Sequence, residues 1–232
     1  MSENGKLPEV SNQLFELSIR RRPAPTGETQ EAALVPQLQP LEGEYREVAR
    51  EARVITQGLS RVQFNWRPRI GQWSISDCLG HLNILGSEQL AVIDAGIREA
   101  RAQGWFAAGP FRVGFLAARL IHETEPPAGR RRHADPHFVP ESDQSADIVV
   151  PAIVDLQEQL VARVKMANGL DLARIRVRPP GHRMLTLGLL EFFMYLAAHE
   201  RRHVAQAQQV RRDPGFPKAV APPRPGPPRP HI

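Results

Sequence analysis

Cysteine is almost absent from this chain of 232 residues: Cys78 stands alone. A single cysteine cannot close an internal disulfide, so covalent staples are excluded and a reducing compartment suits the sequence. Long hydrophobic runs are missing too. No apolar stretch approaches the roughly 18 residues needed to cross a bilayer. The opening MSENGKLPEV lacks the basic-then-apolar layout of a secretory signal. The expectation is a cytoplasmic protein with no membrane partner. Lysine is scarce, limited to Lys6, Lys165 and Lys218. The net charge of +5 and pI near 10.1 therefore come from arginine, which falls in small separate groups: Arg20 to Arg22, Arg130 to Arg132, Arg201 to Arg202, Arg211 to Arg212 and the Pro-Arg tail. No zinc-finger spacing, RNP-type aromatic motif or basic heptad helix accompanies them, so no nucleic-acid partner is expected.

With 41% hydrophobic residues the chain can bury one sizeable core. Residues 1–39 hold four prolines and one short apolar patch around Leu14 to Ile19. They read as an N-terminal extension with room for one short helix. From Leu41 the pattern changes. Leu41, Tyr45, Val48, Ala52, Ile55, Leu59 and Val62 recur at spacings of four and three, the mark of an amphipathic helix. Trp66 and Trp73 flank a Pro/Gly turn, a position from which large aromatics cover the end of a core. Ser74 followed by Asp77 approximates a capping box and predicts a second helix to about Ala100. Its apolar face carries Cys78, His81, Leu85 and Val92, with Glu88 near the same face. Phe111 to Ile121 reads as a short helix, and the Pro/Arg-rich loop 125–140 contains His133 and His137. Val149, Ile153, Leu156, Leu160 and Val164 predict a third long helix, ending near Asn168-Gly169. A fourth runs from about Met184 to Arg212 and stops at Pro214. Residues 214–232, with PPRPGPPRP, read as a Pro/Arg-rich disordered tail. No strand pattern competes. The expected architecture is all-α: a four-helix bundle over residues 40–213 with one long crossover connection.

One run carries chemistry: His199-Glu200-Arg201-Arg202-His203. Histidines four apart on a helix project from one face, where one metal ion can touch both. Leu185, Leu189, Phe192 and Leu196 extend that face, so the imidazoles point towards a core rather than solvent. Bundles build metal sites from facing helices, and His81 offers a third imidazole from helix two. Three nitrogen ligands leave positions open for water or substrate. Such a set suits one divalent transition metal, zinc or nickel first, with iron or cobalt also compatible. Cys78, one turn before His81, reads as a small buried hydrophobe rather than a ligand. Gln206, one turn past His203, is placed either to support a ligand or to end the helix.

The stretch Trp73-Ser74-Ile75-Ser76-Asp77-Cys78-Leu79-Gly80-His81-Leu82 resembles the W-S-x-x-E-x-x-x-H-L segment of the DinB-like (DinB/YfiT) superfamily. The stretch His199 to Gln206 resembles that family's H-x-x-x-H-x-x-Q motif, and the similarity covers roughly Leu41 to Arg212. The resemblance implies a commonly dimeric four-helix bundle holding one divalent metal through residues aligned with His81, His199 and His203. It implies, for some members, thiol-dependent S-transferase or isomerase activity with a low-molecular-weight thiol. Asp77 stands where the family often has Glu, and Arg202 where a further His is common. Hydrolysis is a second reaction compatible with such a site, and a non-catalytic metal-binding or stress-related module is the alternative to an enzyme.

H-E-x-x-H is also the zinc-protease signature, in which Glu200 would be the general base. That reading lacks a convincing third ligand downstream, because Gln206 and Gln209 occupy the Gly and third-His positions of the extended motif. On a helix Glu200 also points about 100° away from His199.

Overall fold

The computed structural model describes residues 33–127, 135–181 and 184–218. Every described helix and strand lies within residues 34–232. The Leu14 to Ile19 patch, His133 and the PPRPGPPRP segment lie outside the described residues.

Helix α1 spans Gln39–Thr56 and buries Leu41, Tyr45, Val48, Ala52 and Ile55. It ends earlier than the periodicity to Val62 suggests. Gly58 takes a left-handed backbone (φ 72°), which turns the chain out of the helix. A separate turn, α2 (Arg61–Phe64), follows under its own Ser60/Gln63 capping box, and Val62 is exposed. Helix α3 (Ile75–Ala102) begins as the sequence indicates: Asp77 N–H donates to Ser74 Oγ, and Ser74 N–H to Asp77 Oδ2. Helix α4 (Phe115–Thr124) sits four residues later than the predicted start, after Gly114 at its N-cap. Helix α5 covers Ala146–Ala167. A two-residue hairpin, β1 (Arg176–Val177) antiparallel to β2 (Leu187–Gly188), is the element for which the sequence carries no strand signal. It delays the last helix, α6, to Leu189–Arg211, because Leu187 and Gly188 pair with β1 instead of extending the helix towards Met184.

The long helices form a ring in which α1 packs on α5 and α6, and α3 packs on the same two. Arg201 bonds Glu44, Gln208 bonds Glu51 and Arg211 bonds the Val54 carbonyl, all at the same separation of 157 residues. A constant offset means that α1 and α6 run parallel. Asn83 to Val149 O and Arg163 to Asp94 show the same for α3 and α5. Lys165, near the end of α5, meets Glu42 near the start of α1, so the two pairs are opposed. Joining parallel α3 and α5 requires the chain to travel the length of the bundle, and residues 103–145 are that crossover. The molecule is an all-α four-helix bundle.

The core divides into two apolar clusters. Along α6 one cluster ends at Ala197 and the other resumes at Val204. His199, Glu200 and His203 occupy the interval. Packing does not stop at Pro214: Phe216 meets Trp66 edge-on at 5.5 Å, and Gln63 Nε2 donates to the Pro217 carbonyl over 2.8 Å.

Candidate metal centre

His81 lies in the second turn of α3, and the capping box at Ser74 and Asp77 sets where that helix starts and so where His81 points. Arg67 reinforces the cap from outside, its Nε and Nη2 bonded to the two Asp77 oxygens at 2.8 and 2.9 Å. The opposing imidazoles come from α6, one turn apart. The structure brings His81, His199 and His203 together, each offering a ligand nitrogen within 4.8 Å of the others'. Their ring centroids are 4.6, 4.7 and 5.4 Å apart. His81 and His203 are buried and His199 is half-buried.

The separations suit one small ion. Two nitrogens about 2.0–2.1 Å from a tetrahedral metal lie roughly 3.3–3.4 Å apart. His199 Nε2 and His203 Nε2 are 3.2 Å apart. That distance also fits an N–H···N bond, but such a bond gives His81 no part, whereas a shared ion engages all three rings. His81 Nδ1 donates to the Phe138 carbonyl over 2.8 Å, which leaves Nε2 as the free lone pair. Histidine binds metal in its neutral form, and the surroundings favour that form. Burial holds the His81 pKa below the ordinary imidazole value, against the pull of the Phe138 carbonyl. Burial pushes His203 well below it, aided by His199, His81 and Arg202, while Gln206 acts in the opposite direction. Nδ1 of His203 is itself buried, and no hydrogen bond of normal geometry reaches it.

Aromatic rings wall the cluster. Trp73 lies 5.4 Å from His203 in a stacked arrangement (26°) and 5.0 Å from His81. Tyr195 stacks on His199 at 6.1 Å. These ring faces pack against the imidazoles. The placement of Trp73 matches what an aromatic beside the Pro/Gly turn suggested. The Phe138 carbonyl had no signal in the sequence, because a backbone oxygen carries no residue identity.

Other residues singled out from the sequence stay apart. Cys78 is buried in the apolar cluster that includes Val204, and burial raises its thiol pKa well above the usual value. His137 is exposed and paired with Glu88 through Nε2 at 2.6 Å. Glu200 turns away from the imidazoles towards the bundle centre, where its Oε1 accepts from Gln157 Nε2 at 3.0 Å. A general base for a metal-bound water must face the ion, so the geometry does not support the protease reading of H-E-x-x-H. Among the described residues no carboxylate joins the three-histidine group.

A family model described as the DinB superfamily matches residues 44–207, well over half of the chain. No curated protein and no solved structure matches.

Proposed function

This chain belongs to the DinB superfamily, and from that premise we propose that it is a metal-dependent enzyme using His81, His199 and His203 as ligands, a thiol S-transferase or hydrolase. The observation that carries the reading is the convergence of three imidazoles from two helices, with the tautomer of one set by a backbone carbonyl. A bound divalent ion, zinc or nickel by preference, would supply Lewis acidity and hold a thiol as its nucleophilic anion near neutral pH. The protein's own part is to present three neutral donors. Because no carboxylate among the described residues joins them, a divalent ion held there would keep its positive charge and would favour an anionic outside ligand such as a thiolate. Trp73 and Tyr195 pack against those rings. The substrate is then a small molecule reached through a low-molecular-weight thiol, and the family resemblance makes a homodimer the expected assembly.

One observation favours a second reading. The cluster offers three ligands that no carboxylate joins among the described residues, which suits a non-catalytic metal-binding module. Titrating cobalt-loaded protein with small thiols separates the two. The enzyme reading predicts a sulfur-to-cobalt charge-transfer band that saturates with thiol concentration. Metal retention without any such band would overturn the S-transferase and leave a hydrolase or the binding module.

A further inference from the structure

The bond that fixes His81 comes from a segment with no ligand of its own. Residues 135–144, the end of the crossover, lie across α3 and meet it at Glu88, His81 and Gly80. Glu88, two turns beyond His81 on the same helix face, pairs with His137 at 2.6 Å. His81 Nδ1 donates to the Phe138 carbonyl at 2.8 Å. At Gly80 the segment comes so close that a Cβ would lie 2.7 Å from Gln144 Nε2 and 3.0 Å from Pro140 Cβ. Asp135 Oδ1 accepts from His137 N–H at 3.0 Å and shapes the tight turn Pro136–Phe138. The far end is pinned to α2. Arg61 bonds both Asp143 carboxylate oxygens, at 2.9 and 3.0 Å, and Asn65 exchanges two bonds with the Gln144 backbone, at 2.8 and 3.0 Å. Asp143 itself takes a left-handed backbone (φ 61°), a conformation that Asp tolerates better than most residues.

We propose that residues 135–144 are a positioning strap for the metal centre, with the His137–Glu88 pair as its clasp, so that strap docking and metal occupancy favour one another. The inference rests on the metal reading above. Without the Phe138 carbonyl, the His81 ring loses the acceptor that sets both its tautomer and its plane. Removing such an outer partner commonly weakens metal binding by about 10–100-fold. Linkage makes the effect reciprocal: whatever factor docking adds to metal affinity, metal adds to docking. The clasp is well exposed on both partners, and exposed pairs contribute little to global stability. Its effect is to place the Phe138 carbonyl. That distinction gives the proposal a readout that a merely structural role would not move.

Hydrogen exchange of the full chain, with and without saturating Zn²⁺, tests the coupling, together with zinc affinity by chelator competition. Zinc should slow exchange of the 137–139 and 141–144 amides about tenfold in the wild type. His137→Ala and Glu88→Ala should each weaken zinc roughly five- to tenfold while the metal-free melting temperature is unchanged. His137→Lys, which puts a hydrogen-bond donor back opposite Glu88, should recover most of the affinity. Unchanged exchange on adding zinc, or wild-type affinity in His137→Ala, overturns the strap while leaving the metal reading intact. A wild type that takes up no zinc overturns both.

Discussion

At the scale of single residues, Glu200 separates the two readings of its own motif, and its environment yields a pH test. Burial raises its carboxyl from the ordinary 4.5 to about 8, with Gln157 and Arg201 pulling the other way. Between those values the folded chain keeps a proton that the unfolded chain has released. Stability of the metal-free protein should therefore fall as pH rises through this window, by up to about 1.4 kcal/mol per pH unit from this group. Glu200→Gln keeps the shape and abolishes the titration, so its stability advantage over wild type should widen from about pH 5 to about pH 8 in denaturant titrations with chelator present. A constant difference across that range would contradict the assignment. The histidines were legible because a spacing of four puts side chains on one helix face whatever surrounds them. The fate of Glu200 was half-legible: the same geometry turned it away from the metal face. Its partner Gln157 could not be foreseen, since that contact depends on how α5 and α6 meet across the bundle.

At the scale of elements, the start of α6 depends on one side chain. Glu191 accepts from Gly188 N–H through Oε2 and from Gly114 N–H through Oε1, each at 2.8 Å. One carboxylate thus caps α6 and ties down the residue that begins α4. Glu191→Ala leaves both donors without this partner. The expected cost is about 2–3 kcal/mol, read as a lower urea midpoint at unchanged slope. A loss below about 0.5 kcal/mol would show that water replaces the carboxylate freely. The long helices were readable from apolar spacing, and the Ser74/Asp77 cap marked the start of α3. The misplaced boundaries have a common cause. Leu185 continues the apolar pattern of α6, yet Leu187 and Gly188 commit their backbone groups to β1 before the helix begins. Leu59 and Val62 continue the pattern of α1, yet Gly58 ends the helix before them. Apolar periodicity records which residues face a core, and it is blind to where backbone hydrogen bonding changes partners.

At the scale of the whole molecule, topology assembles the centre. Two parallel pairs, α1 with α6 and α3 with α5, run opposite to each other, so the beginning of α3 comes to lie beside the later half of α6. That opposition places His81 against His199 and His203 although more than 110 residues separate them in the chain. The long crossover that the parallel α3–α5 pair demands also delivers the Phe138 carbonyl to His81. The bundle and its single crossover could be read from helix order and loop length. The contribution of the crossover to the site could not, because it rests on a backbone atom and on close approach at Gly80. The central claim is that three imidazoles, and not Glu200, make the metal centre. Metal content of purified wild type, His81→Ala, His203→Ala and Glu200→Ala tests it most directly. The account predicts about one equivalent per chain in wild type and in Glu200→Ala, with most of it lost in both histidine variants. A full equivalent of metal retained by both histidine variants would contradict it.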